Sequence, residues 1–82
     1  MASESQIKSA IESVVNGKYS LWTIGVTDDH DKRKEEHDNP KHWHQWDADT
    51  EQEARNVESY FIDKDMKGGT GGLGSADYVY IF

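Results

Sequence analysis

Arg33 and His37 sit four residues apart in a wholly polar run from Asp28 to Asp38. At about 100° per residue on a helix, His30, Arg33, Lys34 and His37 share one face and Asp31, Glu35 and Glu36 fall on the other. A cationic face of this kind suits an anion. The planar guanidinium of Arg33 can fork onto phosphate oxygens, and an imidazole one turn away can orient a group or relay a proton. The plain alternative is a solvated helix held by exposed ion pairs, each worth at most about 1 kcal/mol.

Glu58 is the second group that calls for a partner. Ala54, Val57, Phe61 and Ile62 form an apolar helical stripe, and Glu58 falls near its middle. A buried, uncompensated carboxylate there costs several kcal/mol. Two compensations are open, a direct ion pair with Arg33 or coordination of a hard cation such as Mg²⁺. Either one requires Arg33 and Glu58 on the same side of the fold. A third cluster, Lys41-His42-Trp43-His44-Gln45-Trp46-Asp47, sets His42 and His44 on one face of a strand. With Asp47 or His37 that pair could bind zinc, but no third ligand is fixed by spacing. Trp43 and Trp46 point to opposite faces.

These groups need elements to hold them. Ser3 with Gln6 has capping-box spacing, Ile7, Ala10, Ile11, Val14 and Val15 make an amphipathic stripe, and Asn16-Gly17 stops it, which predicts a helix over residues 4–16. Tyr19 to Thr27 is rich in aromatic and β-branched residues and reads as a central strand. Asp28 and Asp29 cap the polar helix, which runs to about Asp38 before Asn39-Pro40. A second strand is expected over Trp43 to Ala48. Either Asp49 with Gln52 or Thr50 with Glu53 opens a helix reaching about Lys64. The run Gly68-Gly69-Thr70-Gly71-Gly72-Leu73-Gly74 lacks the Lys-Ser/Thr of a P-loop and precedes a strand, so it reads as a flexible connection. Ala76 to Phe82 is a final strand, with Tyr78 and Tyr80 on one face. The expected fold is a single α+β domain over residues 1–82, a small, mostly antiparallel three-stranded sheet covered by three helices. The strand ending in Phe82 should pair with the one containing Ile24, since both are apolar enough to be central.

Ile24-Gly25 with Thr27 at a strand end, Arg33 eight residues after the glycine, His37 four later, and Val57-Glu58-Ser59-Tyr60-Phe61-Ile62 on a following helix together resemble the GIY-YIG nuclease family over about residues 19–64. The resemblance implies a metal-dependent endonuclease-type domain acting on DNA or RNA phosphodiesters. Arg33 would stabilise phosphate charge, with Gly25, His30 and Lys34 beside the substrate. His37 would orient groups or relay protons, and Glu58 would bind Mg²⁺ or another divalent cation. The family's first strand is missing ahead of Trp22, and Thr23 stands where a tyrosine is expected. A circular permutation would let the C-terminal strand replace that first strand, so that Tyr78 or Tyr80, or Tyr19 on the central strand, supplies the hydroxyl.

Composition bounds these readings. A chain of 82 residues buries only roughly 60–65% of its unfolded surface and has room for one site. With no cysteine there is no disulfide scaffold and no thiolate metal site. No apolar run reaches the length of a signal peptide or membrane span, and the expectation is a soluble, cytoplasmic protein. The net charge of −7 runs against nucleic-acid binding, which favours basic surfaces. It fits instead the alternative of a catalytically inactive binding or regulatory module that meets a basic protein partner through an acidic surface.

Overall fold

The computed structural model describes residues 2–68 and 76–82. Its elements run α1 (Glu4–Val15), a 3₁₀ turn (Tyr19–Leu21), β1 (Thr23–Thr27), α2 (His30–Glu36), β2 (His44–Asp47), α3 (Glu51–Ile62), β3 (Lys67–Gly68) and β4 (Tyr78–Ile81).

Each helix begins at a side chain that accepts an otherwise unpaired backbone N–H. Ser3 and Gln6 form a complete capping box on α1, Asp29 accepts from the Lys32 N–H, and Thr50 accepts from the Glu53 N–H. Of the two caps open for the third helix, the Thr50–Glu53 pair is the one used. Glu53 also accepts the Glu4 N–H at 2.8 Å, so one carboxylate ties the starts of α1 and α3 together.

The sheet has the order β2-β4-β1-β3. β4 pairs antiparallel with β1, Ile24 opposite Ile81 and Gly25 opposite Tyr80, and antiparallel with β2 on its other side. The expected pairing of the C-terminal strand with the strand of Ile24 is formed, and these two strands are central. Because strand side chains alternate, the sheet has two distinct faces. Ile24, Val26, Val79 and Ile81 pack with Ile7, Ile11 and Val15 of α1 and Ala54, Val57 and Phe61 of α3 in one buried cluster. Gly25 and Thr27 share the opposite face with Tyr80 and Tyr78, and α2 crosses there.

The sheet has four strands rather than the expected three, and it is mixed. β3 pairs parallel with the start of β1, Thr23 opposite Lys67 and Ile24 opposite Gly68. A Lys-Gly pair has no β signature. It is recruited because Met66, buried at its entrance, anchors the chain in the core and the Lys67 N–H reaches the Trp22 carbonyl at 3.1 Å. The connection read from the glycine run lies, from Gly69 onward, outside the described residues. The central strand is also shorter than expected, since Tyr19 to Leu21 coils into a 3₁₀ turn in which the Trp22 N–H bonds the Tyr19 carbonyl at 3.1 Å.

Candidate functional site

α2 has no apolar residue, and it docks on the sheet through Arg33 and His37 instead. The Arg33 Nε–H donates to the Tyr80 hydroxyl oxygen at 3.2 Å, and the same hydroxyl lies 3.3 Å from His37 Nε2. With the phenol oxygen accepting from Arg33, its own proton is free to go to a neutral His37. That protonation state agrees with the environment of the imidazole, whose pKa is lowered from 6.5 by burial first and then by the Arg33 charge, against an upward pull from Glu36. The hydrogen bond to Tyr80 is also the main stabiliser of the Arg33 cation, and Glu36 stands 3.6 Å from the guanidinium.

Tyr80 fits over the sheet because its directly opposed neighbour is Gly25. A Cβ at Gly25 would fall on the Oη and Cζ atoms of the Tyr80 ring. The glycine that sequence reading sets beside substrate is therefore what lets Tyr80 reach Arg33 and His37. The ring is fully buried at 0% exposure. It is roofed by Trp43, stacked on it with centroids 4.6 Å apart and planes 9° apart, and Phe82 lies parallel to both at 5.7 Å from Trp43 and 6.0 Å from Tyr80. His37 closes the side of the stack, 4.6 Å from Phe82.

The remaining candidates divide. Tyr78 stays on the same face but meets His30 edge-on, with ring centroids at 4.7 Å, and His30 Nδ1 lies 3.1 Å from Asp31. Lys34 is partly buried on α2. Tyr19 is not on the central strand; in its 3₁₀ turn it packs 6.1 Å from Phe61 and donates to Glu12 at 3.5 Å, on the α1/α3 side of the sheet. Of the three tyrosines offered for the hydroxyl, only Tyr80 bridges Arg33 and His37.

Glu58 is half-buried on the flank of α3, next to the face formed by Ala54, Val57 and Phe61. Burial pushes its carboxyl above the ordinary value, partly offset by Arg55. The direct Arg33–Glu58 ion pair allowed by the sequence is replaced by Arg33–Glu36, because α3 packs on one face of the sheet while Arg33 bonds Tyr80 on the other. One turn along the same flank, Ile62 lies against Gly68 of β3, where a Cβ would be 3.3 Å from its Cδ1. Among the described residues β3 pairs with Thr23 and Ile24 of β1.

Among the described residues no third ligand joins His42 and His44. His44 is exposed between Trp22 and Trp46, at 6.0 and 6.2 Å, and His42 precedes β2. Among the described residues no group of three His, Cys, Asp or Glu side chains could hold a metal ion. As expected, Trp43 and Trp46 take opposite faces, Trp46 packing against the core. The role of Trp43 and Phe82 around Tyr80 was not drawn from the sequence, although the register available to alternating strands, with Gln45 opposite Tyr80, contains it. No helix among the described residues is long and apolar enough to cross a membrane. Comparison with known proteins returned no match, whether to family models, curated proteins or solved structures.

Proposed function

We propose that this is a GIY-YIG-like, nuclease-type domain that engages nucleic-acid phosphodiesters through Arg33, Tyr80 and His37. The observation that carries the reading is the Tyr80 hydroxyl held between Arg33 Nε and His37 Nε2. A tyrosine from the last strand, beside the glycine of the motif strand, stands in for the hydroxyl absent at Thr23. The permuted order expected from the sequence supplies this arrangement without a further element.

In this reading Arg33 neutralises phosphate charge. Tyr80 passes its proton to His37 Nε2 as it takes one from the attacking water, so neutral His37 is the competent form. Glu58 fits a divalent cation only in the sparse mode in which one carboxylate is supplemented by water and substrate phosphate; its poorly solvated carboxylate gains from a cation, but no ligand cage surrounds it. Such a cation would supply charge stabilisation on the α3 side of the sheet, opposite Arg33, and so would not serve the phosphate that Arg33 engages.

The second reading, a regulatory module that keeps the fold without hydrolysis, is favoured by the full burial of Tyr80 and by Glu36 facing Arg33. A basic protein is the partner its acidic composition suits. Incubation of supercoiled plasmid and of single-stranded RNA with the protein and Mg²⁺, with Mg²⁺ binding followed by calorimetric titration, separates the two. The nuclease reading expects Mg²⁺-dependent nicking that Arg33→Ala reduces by at least about a hundredfold. Absence of both Mg²⁺ binding and cleavage in the wild type leaves the regulatory reading.

A further inference from the structure

The charge of the chain is unevenly placed. Residues 30–44 carry equal numbers of acidic and cationic side chains and all four histidines, so the net charge of −7 resides wholly outside this segment. The segment comprises α2, the connection to β2 and Trp43. Apart from His44, which sits by Trp22 and Trp46 on the other side, it covers the sheet face that α1 and α3 leave free.

Trp43 shares partial exposure with Tyr78 and Phe82 and is the ring that lies over Tyr80. Tyr80 beneath it is fully buried, but Trp43 is partly exposed. Its plane is fixed from below by parallel stacking on Tyr80 and Phe82, and in its own plane by donation from Nε1 to Gln45 Oε1 at 2.8 Å. A ring already ordered in this way offers a stacking surface without further loss of rotamer freedom. Lys41 and His42 immediately precede it and are exposed, and His37 lies 6.5 Å away with its ring 38° off parallel. The acidic groups of the same face are Asp31, Glu35, Glu36 and Asp38, together with Asp29 that caps α2 and Asp47 opposite Tyr78; Asp31 and Glu36 are matched to His30 and Arg33.

We propose that this face binds single-stranded nucleic acid, one unpaired base stacking on the outer side of Trp43 while neighbouring phosphates lie along Lys41, His42 and the cationic side of α2. Stacking on an exposed aromatic accepts every base and requires that the base be unpaired, so the surface selects single strands over duplex without reading sequence. The chemistry is shared by DNA and RNA. The proposal deepens the nucleic-acid reading above and rests on it for the class of ligand only, not for hydrolysis.

The test is fluorescence anisotropy with labelled ten-residue oligo-dT and oligo-U, the corresponding duplex, and a basic peptide, in low salt without Mg²⁺. Both single strands are expected to bind at least tenfold more tightly than the duplex. Trp43→Leu, which still covers Tyr80, should weaken single-strand binding about tenfold or more, and Trp43→Phe should recover most of the loss. Thermal melts of both variants verify the fold. Equal affinity of Trp43→Leu and wild type, or duplex bound as tightly as single strand, overturns the stacking surface. Binding of the basic peptide but of neither oligonucleotide overturns it also, in favour of the acidic surface. Because no Mg²⁺ is present, binding is read without cleavage, and the two proposals fail separately.

Discussion

Gly25 and Tyr80 are matched in size across one rung of the ladder, and each constrains substitution of the other. Gly25→Ala should force the Tyr80 ring off its place and cost about 1–3 kcal/mol in urea unfolding, the range for overpacking. Tyr80→Phe keeps the packing but removes the group between Arg33 and His37, and should cost about 1–2 kcal/mol. Glu58 behaves in the opposite sense. Its folded pKa is raised, so ionisation is a burden that grows as pH rises through the folded value and is absent below the ordinary carboxylate range. Glu58→Gln should therefore raise the melting temperature at pH 7 and have no such effect near pH 4. His37 has its folded pKa lowered, so the unfolded chain takes up the proton first. Its contribution to stability is complete above about pH 6.5 and is lost as pH falls through the folded value. A melting series from pH 7.5 to pH 5 should show that loss in the wild type and less of it in His37→Gln.

At the scale of elements, α2 has seven residues and no buried side chain, so its place depends on its cap and on two polar anchors. Asp29→Ala should cost about 1 kcal/mol and loosen Arg33 and His37 together, seen as faster amide exchange across α2 than across α3. The elements most legible in the sequence were those with both a cap and a period. α1 and α3 were read within one or two residues of their ends, and the pairing of the last strand followed from its apolar alternation. Tyr19 to Leu21 was misread because aromatic composition carries a strand signal, while the 3₁₀ turn is imposed by the need to bring the chain from the end of α1 to the sheet. β3 was missed because backbone pairing, not side-chain pattern, creates it. The candidate site was half legible. Helical spacing put Arg33 and His37 on one face, but which tyrosine they meet depends on the non-local pairing of Gly25 with Tyr80, and the assignment of Glu58 to Arg33 failed because helical periodicity does not say which sheet face a helix will cover.

For the molecule as a whole, the arrangement separates a net acidic remainder from a charge-balanced segment that carries the histidines. The two sides of the sheet differ as much in chemistry as in electrostatics, with aliphatic packing under α1 and α3 and stacked rings under α2. The sheet order also places the final element between the first two strands: β1 and β2 share no direct ladder, and each depends on β4 for its longest pairing. A chain ending at Asp77 should consequently lack native structure, with poor dispersion in a proton–nitrogen NMR spectrum where the full chain is well dispersed.

That topology has a consequence during synthesis. As the polypeptide leaves the ribosome, the helices can form in order, but both early strands wait with open hydrogen-bonding edges until Ile81 has emerged. The sheet cannot be assembled progressively from the N-terminus, and the apolar faces of α1 and α3 have no completed surface to cover in the interim. Closure is a single late event dominated by contacts distant in sequence, the kind that costs most in chain entropy and proceeds slowly. The nascent chain is thus most vulnerable to strand-edge association and proteolysis until β4 has emerged.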